Sequence, residues 1–175
     1  GELDLQTPEA ARPVQGDATK PFPQKRQAKR DLLLARVKEI GPILQASGGK
    51  SEELATLAPE AVEALRSAGM FRLKLPTVLG GAEPDPVTEM LVLERLAYYD
   101  FTSAWCTMVG ATGVAALGAF LPQAGLDRVF DKGHIPTASI SFFPAGRAVR
   151  EKGGYRLNGR CLLYTSPSPR DRQKS

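Results

Sequence analysis

No charged residue falls between Asp100 and Asp127, and this limits what the chain can fold into more than any other feature. The stretch carries Trp105, Met108, Val109, Val114, Leu117, Phe120 and Leu121 among many Gly, Ala, Ser and Thr. Its length is compatible with a membrane span. Its small residues would equally let other elements approach a helix closely inside a soluble bundle, and Pro122 follows at once. A buried central helix is the expected reading, because amphipathic patterns precede the stretch and β-type patterns follow it.

Upstream, Leu33, Val37, Ile40 and Leu44 fall at i, i+4, i+7 and i+11, which predicts an amphipathic helix from Asp31. Gly41-Pro42 should bend it and Gly48-Gly49 should end it. A second helix is predicted near Pro59–Ala68, stopped by Gly69, with Val62, Leu65, Met70 and Phe71 on its buried side. Pro76–Asp85 reads as a loop, and Asp85-Pro86 as the N-cap and first turn of a helix reaching Tyr99. Further helices are predicted from Thr102-Ser103 to Phe120 and from Gln123 to Phe130. The period then switches: Thr137–Phe143, Arg147–Lys152 and Tyr155–Arg160 read as strands, with a tight hairpin at Gly153-Gly154. Residues 1–30, rich in Pro, Gln, Lys, Glu and Asp, read as a disordered arm. The fold class expected is α+β: an all-α helical domain over residues 31–132, followed by the start of a small, truncated β-domain over residues 133–160.

The net charge of +4 hints at nucleic acid until it is divided along the chain. Residues 32–160 hold 14 basic and 13 acidic side chains, so the body is near neutral and nucleic-acid binding is disfavoured. Two cysteines, Cys106 and Cys161, with one histidine, His134, are too few soft ligands for zinc and form no disulfide framework. A reduced, cytoplasmic setting fits. The chain begins at Gly1 rather than Met, so a cut or processed start is expected, and no apolar run near it resembles a signal peptide.

Catalytic signals are sparse. Thr112–Gly118 lacks the G-x-G-x-x-G spacing and no strand precedes it, which argues against a nicotinamide site. His134, beside Gly133 and Pro136, has no neighbouring carboxylate or nucleophile in the sequence and reads as structural. Cys106 reads as a small core residue, and Glu89 and Glu94 as surface charges rather than an acid–base pair. No nucleophile–base–orienter set can be assembled, so no catalytic residue is assigned.

Taken in order, AVEALRSAGMFRLKL (Ala61–Leu75), the Gly80-Gly81 loop, EMLVLERLAYYDFTSAW (Glu89–Trp105), ASISFFPAG (Ala138–Gly146) and GGYRLNGR (Gly153–Arg160) resemble the N-terminal half of the acyl-CoA dehydrogenase superfamily over about Asp31 to Arg160. The resemblance implies a helical domain, then a small β-domain, then a C-terminal helical bundle, with a flavin between the β-domain and the bundles. Classical dehydrogenases of the superfamily carry a Thr-Glu-Pro-like run and a Gly-Ser-Asp at the start of the β-domain. Here Ser141–Ala148 reads SFFPAGRA, which lacks both. With Ser103-Ala104-Trp105 and the hairpin, this is more similar to the reduced-flavin-dependent monooxygenases, which hydroxylate aromatic or steroid-derived substrates.

The resemblance implies FAD, or reduced FMN or FAD supplied by a partner flavin reductase, and a small-molecule substrate in a tetramer-like homo-oligomer without a membrane. Ser139, Ser141 and Phe142 are the cofactor-facing candidates by their place on the first β-strand. Trp105 is the substrate-lining candidate, with core packing as its plainer role. The dehydrogenase base of the family belongs to the C-terminal bundle, so a chain of this extent is expected to be an inactive part of an oxidoreductase. A non-enzymatic helical scaffold or interaction module is the alternative. It leaves the hairpin after ASISFFPAG unexplained.

Relatives of this kind continue from Gly-Arg with a tryptophan and a short strand, whereas Arg160 is followed by CLLYTSPSPRDRQKS. Cys161–Asp171 resembles the in-frame translation of a transposon-end adapter used in preparing sequencing libraries. Residues 161–175 are therefore expected to be a non-native tail in which Cys161 and Tyr164 have no biological role.

Overall fold

The computed structural model describes residues 21–131, 134–140 and 146–159. The arm before residue 21, the strand residues Ser141 and Phe142, and the tail with Cys161 and Tyr164 lie outside them. Among the described residues five α-helices precede one antiparallel hairpin: α1 (Arg26–Leu54), α2 (Pro59–Ser67), α3 (Pro86–Tyr99), α4 (Phe101–Phe120), α5 (Gln123–Val129), β1 (Gly146–Glu151) and β2 (Gly154–Gly159). Helix α1 packs on α2 and α3, and α3 on α4.

Helix α1 starts earlier and ends later than its aliphatic stripe predicts. Its start lies beside a buried anchor, Phe22, whose ring is 5.1 Å from the Arg36 guanidinium and 4.6 Å from that of Arg72. Part of the expected arm is thus fixed by a ring between two cations. The helix runs through Pro42, which is exposed, and Gly41, which is buried against the Tyr99 ring where a Cβ would overlap it. Gly41 is therefore a point of close approach between α1 and α3.

Gly48-Gly49 does not end the helix either, because the buried stripe continues in Ser47 and Ser51. Their hydroxyls donate to the carbonyls of Ile43 (2.7 Å) and Ser47 (3.0 Å), and Ser51 Oγ also accepts the Ala58 N–H. The helix stops where Ala55 turns left-handed at φ 51°.

Helix α2 opens on Pro59 and is followed by Gly69 at φ 78°, as its sequence implies. Ala61, Ala64 and Leu65 are buried, while Val62 is only half-buried. The loop to α3 folds so tightly that a Cβ on Gly81 would overlap the Leu75 carbonyl. Asp85 caps α3, accepting from Thr88 N (3.2 Å), Thr88 Oγ1 (2.5 Å) and Arg26 (2.9 Å). Those bonds, the Thr88 hydroxyl first, hold its carboxyl at about 2. Asp100 caps α4 through the Ser103 N–H at 2.7 Å.

Helix α4 corrects the expectation of a helix buried all round. Ser103, Ala104, Thr107, Ala111 and Val114 are buried, but Phe101, Trp105 and Phe120 are 70%, 56% and 86% exposed. By length and composition alone the helix could cross a membrane. It packs against α3 and the 3-10 turn Met70–Arg72.

Residues 137–140, predicted to open a strand, form none. That stretch packs instead with the helical unit, Ala138 resting against its core. In the hairpin Glu151 pairs with Gly154, so the tip is Lys152-Gly153 with Gly153 at φ 86°, one residue earlier than expected. Arg156 pairs with Glu151 across it.

Candidate functional site

The site is built from the small-residue face of α4 and the segment 134–140. Gly113 is buried, and a Cβ there would stand 3.0 Å from Ala138 Cβ and 3.1 Å from the Ala138 carbonyl. At Gly110, one turn earlier, the same carbonyl would be 3.7 Å away and the Phe71 ring 3.7 Å away. Glycine at 113 therefore lets backbone lie directly on the helix.

Beyond that contact the two elements part and leave a groove of about 330 Å³. Ala116, Leu117 and Phe120 form one wall and Ala138, Ser139 and Ile140 the other, with Leu121 at the end. The lining is apolar except for the exposed Ser139. Its size falls at the small end of ligand pockets, roughly 300–1,000 Å³. These residues fit a flat apolar ring held by one hydroxyl. They include no cation to meet a phosphate, so this wall suits a flavin ring or an apolar substrate rather than a dinucleotide's diphosphate.

Of the sequence candidates, Ser139 lines the groove, and Ser141 and Phe142 lie outside the described residues. Trp105 stands three turns before Ala116 on α4, roughly 16 Å along the axis. The structure does not bring it to Ser139, and its exposure removes the core-packing role.

Lys74 ties the neighbouring surface together. Its ammonium lies 2.8 Å from Glu89 Oε1 and donates to Thr112 Oγ1 at 3.1 Å, and Thr112 in turn donates to the Met108 carbonyl. Glu89 is thus an ion-pair partner rather than a free surface charge. Burial, aided by Asp100, pushes the Cys106 thiol up, which keeps it protonated and unreactive near neutral pH. His134 is exposed, and its backbone N–H donates to the Asp131 carbonyl. No cluster of metal-ligating side chains occurs among the described residues.

Sequence reasoning missed Arg66, whose guanidinium donates to the Ile135 carbonyl at 3.0 Å, and the groove wall Ala116–Leu121. The small residues between Asp100 and Asp127 signal a close approach to the helix but not which segment makes it.

Residues 37–124 match the model of the acyl-CoA dehydrogenase N-terminal domain. The oxygenase subunit HsaA of a flavin-dependent monooxygenase from Mycobacterium tuberculosis is 29% identical over 127 residues, 73% of this chain and 32% of that protein. Indole-3-acetate monooxygenase from Pseudomonas putida is 24% identical over 69% of this chain and 30% of its own length. Among solved structures, XiaF from Streptomyces sp., in complex with FADH2 and glycerol, superposes with a TM-score of 0.64 at 32% identity, covering 74% of this chain and 33% of that one. The chain spans about a third of the length of these relatives.

Proposed function

Because the chain belongs to the acyl-CoA dehydrogenase family, through that family's N-terminal domain, we propose that it is the N-terminal part of a flavin-dependent oxidoreductase that hydroxylates an aromatic or polycyclic substrate. The observation that carries this reading is the agreement of the relatives. HsaA is named a flavin-dependent monooxygenase, and XiaF, similar in both sequence and structure, was solved with FADH2. HsaA is also named an oxygenase subunit, which supports a separate flavin reductase as partner.

When bound, reduced flavin supplies the electrons that activate dioxygen, one oxygen atom entering the substrate and the other leaving as water. This chain's part is to position and to keep dry. Ala116, Leu117 and Phe120 offer an apolar wall that excludes water from a ring, and the Ser139 hydroxyl offers it a hydrogen bond. Ser141 and Phe142, next along the chain, retain the cofactor-facing role that the resemblance implies, and Trp105 the substrate-lining one. The same reading makes the full-length protein a tetramer-like cytoplasmic homo-oligomer.

The test is an anaerobic absorbance titration of the full-length protein with FAD and FMN, oxidised and reduced. Saturable binding of reduced flavin is expected, and no binding in either redox state overturns the reading. Turnover of a phenol with reductase and oxygen, against turnover of an acyl-CoA with an electron acceptor, separates hydroxylation from CH–CH oxidation. The chain alone is expected to bind flavin weakly, because it carries one wall of the site.

A further inference from the structure

The segment 134–140 forms one wall of the groove, yet it has neither helix nor strand to hold it. Among the described residues, the hydrogen bonds that reach it are the His134 N–H to Asp131 and the Arg66 guanidinium to the Ile135 carbonyl. The first is a local turn. The second spans 69 residues of sequence.

Arg66 lies in the last turn of α2, half-buried, with its guanidinium 5.6 Å from the centre of the Phe71 ring. Phe71 is itself buried and reaches α4 at Gly110, the same point that the Ala138 carbonyl approaches. One planar cation thus stacks on the ring that meets α4 and donates to the strand of chain that lies along it. A lysine can supply the donor but not the stacked plane.

We propose that Arg66 is a positioning residue for the groove, its guanidinium fixing the Ile135 carbonyl and thereby the line along which Ala138–Ile140 lies on α4. Ile135, buried in the core, and Ala138, seated on Gly113, give the segment its two apolar footholds. The Arg66 bond fixes the orientation of the chain between them. That the groove receives a flavin or its substrate rests on the function proposed above; that Arg66 orders the segment does not.

Limited proteolysis of the full-length protein with a nonspecific protease tests this directly. In Arg66→Ala cleavage within residues 137–140 should be about tenfold faster while cleavage within α2 and α4 stays as slow as before. Arg66→Lys should recover part of that resistance. Unchanged cleavage at 137–140 overturns the proposal. So does a rise spread equally over α2 and α4, which would make Arg66 a general stabilising residue. Should Arg66→Ala not fold, Arg66→Lys reads the same question through a smaller local rise, and a uniform or absent rise again overturns it. The flavin titration of the unsubstituted protein is a separate measurement, so failure of the functional reading and failure of this one are told apart.

Discussion

The helical unit and the hairpin use similar residues and differ in what those residues touch. Leu33, Leu44, Leu65, Val92 and Leu96 are fully buried between helices, whereas Tyr155 and Leu157 in β2 are 66% and 77% exposed. Strand pairing satisfies the hairpin backbone within a few residues, but alternation buries nothing until a second layer covers it. The helices, in contrast, are specified by one another. Local chemistry sets the hairpin's register, and distant contacts set the helical unit's stability.

Truncating side chains should break this comparison most visibly. Leu96→Ala should cost about 2–5 kcal/mol in urea denaturation, whereas Leu157→Ala should cost less than about 0.5 kcal/mol. Equal costs would mean that the hairpin has a core of its own. Next come the glycines. Gly81→Ala forces a methyl into the Leu75 backbone and should cost about 1–3 kcal/mol, while Gly154, with nothing within 4 Å, should accept alanine almost silently. A silent Gly81→Ala would show that the loop before α3 gives way easily. Smaller again is the cap: Asp100→Ala should cost about 1 kcal/mol by leaving the Ser103 N–H unpaired.

The smallest effect expected is one of pH. The Asp85 carboxyl lies at about 2 against an ordinary 3.8, and the Thr77 N–H lowers Glu83 in the same direction. A depressed carboxylate stabilises the fold above its unfolded value, and that contribution fades as pH falls toward the folded one. Denaturation midpoints should therefore fall with acidification below about pH 4 and keep falling toward pH 2. Asp85→Asn should flatten part of that slope, and an unchanged slope would remove Asp85 from the account.

How much of this was legible depended on the range of the signal. Helix α3 was read to its ends, Pro86 and Tyr99, because Asp85-Pro86 and the apolar period are local. Helix α1 departs at both ends from the range its aliphatic stripe predicts. Phe22 is anchored by Arg36 and Arg72, far away in sequence, and the buried stripe passes from aliphatic residues into Ser47 and Ser51. Within its own helix Gly41 reads only as part of the Gly41-Pro42 bend, because the Tyr99 ring that needs its bareness is on another helix. Ser139 was picked out by its place in the resemblance. The wall it faces depends on Gly113 meeting Ala138, which no period within either segment encodes.

Helix α4 is also held close near its end, where Gly118 sits so close beneath Leu75 and Leu79 that a Cβ would stand 2.7 and 2.9 Å from their methyls. A side chain larger than hydrogen at 118 would therefore push this end of the helix away from Leu75 and Leu79, and would carry the neighbouring Leu117 and Phe120 of the groove wall with it.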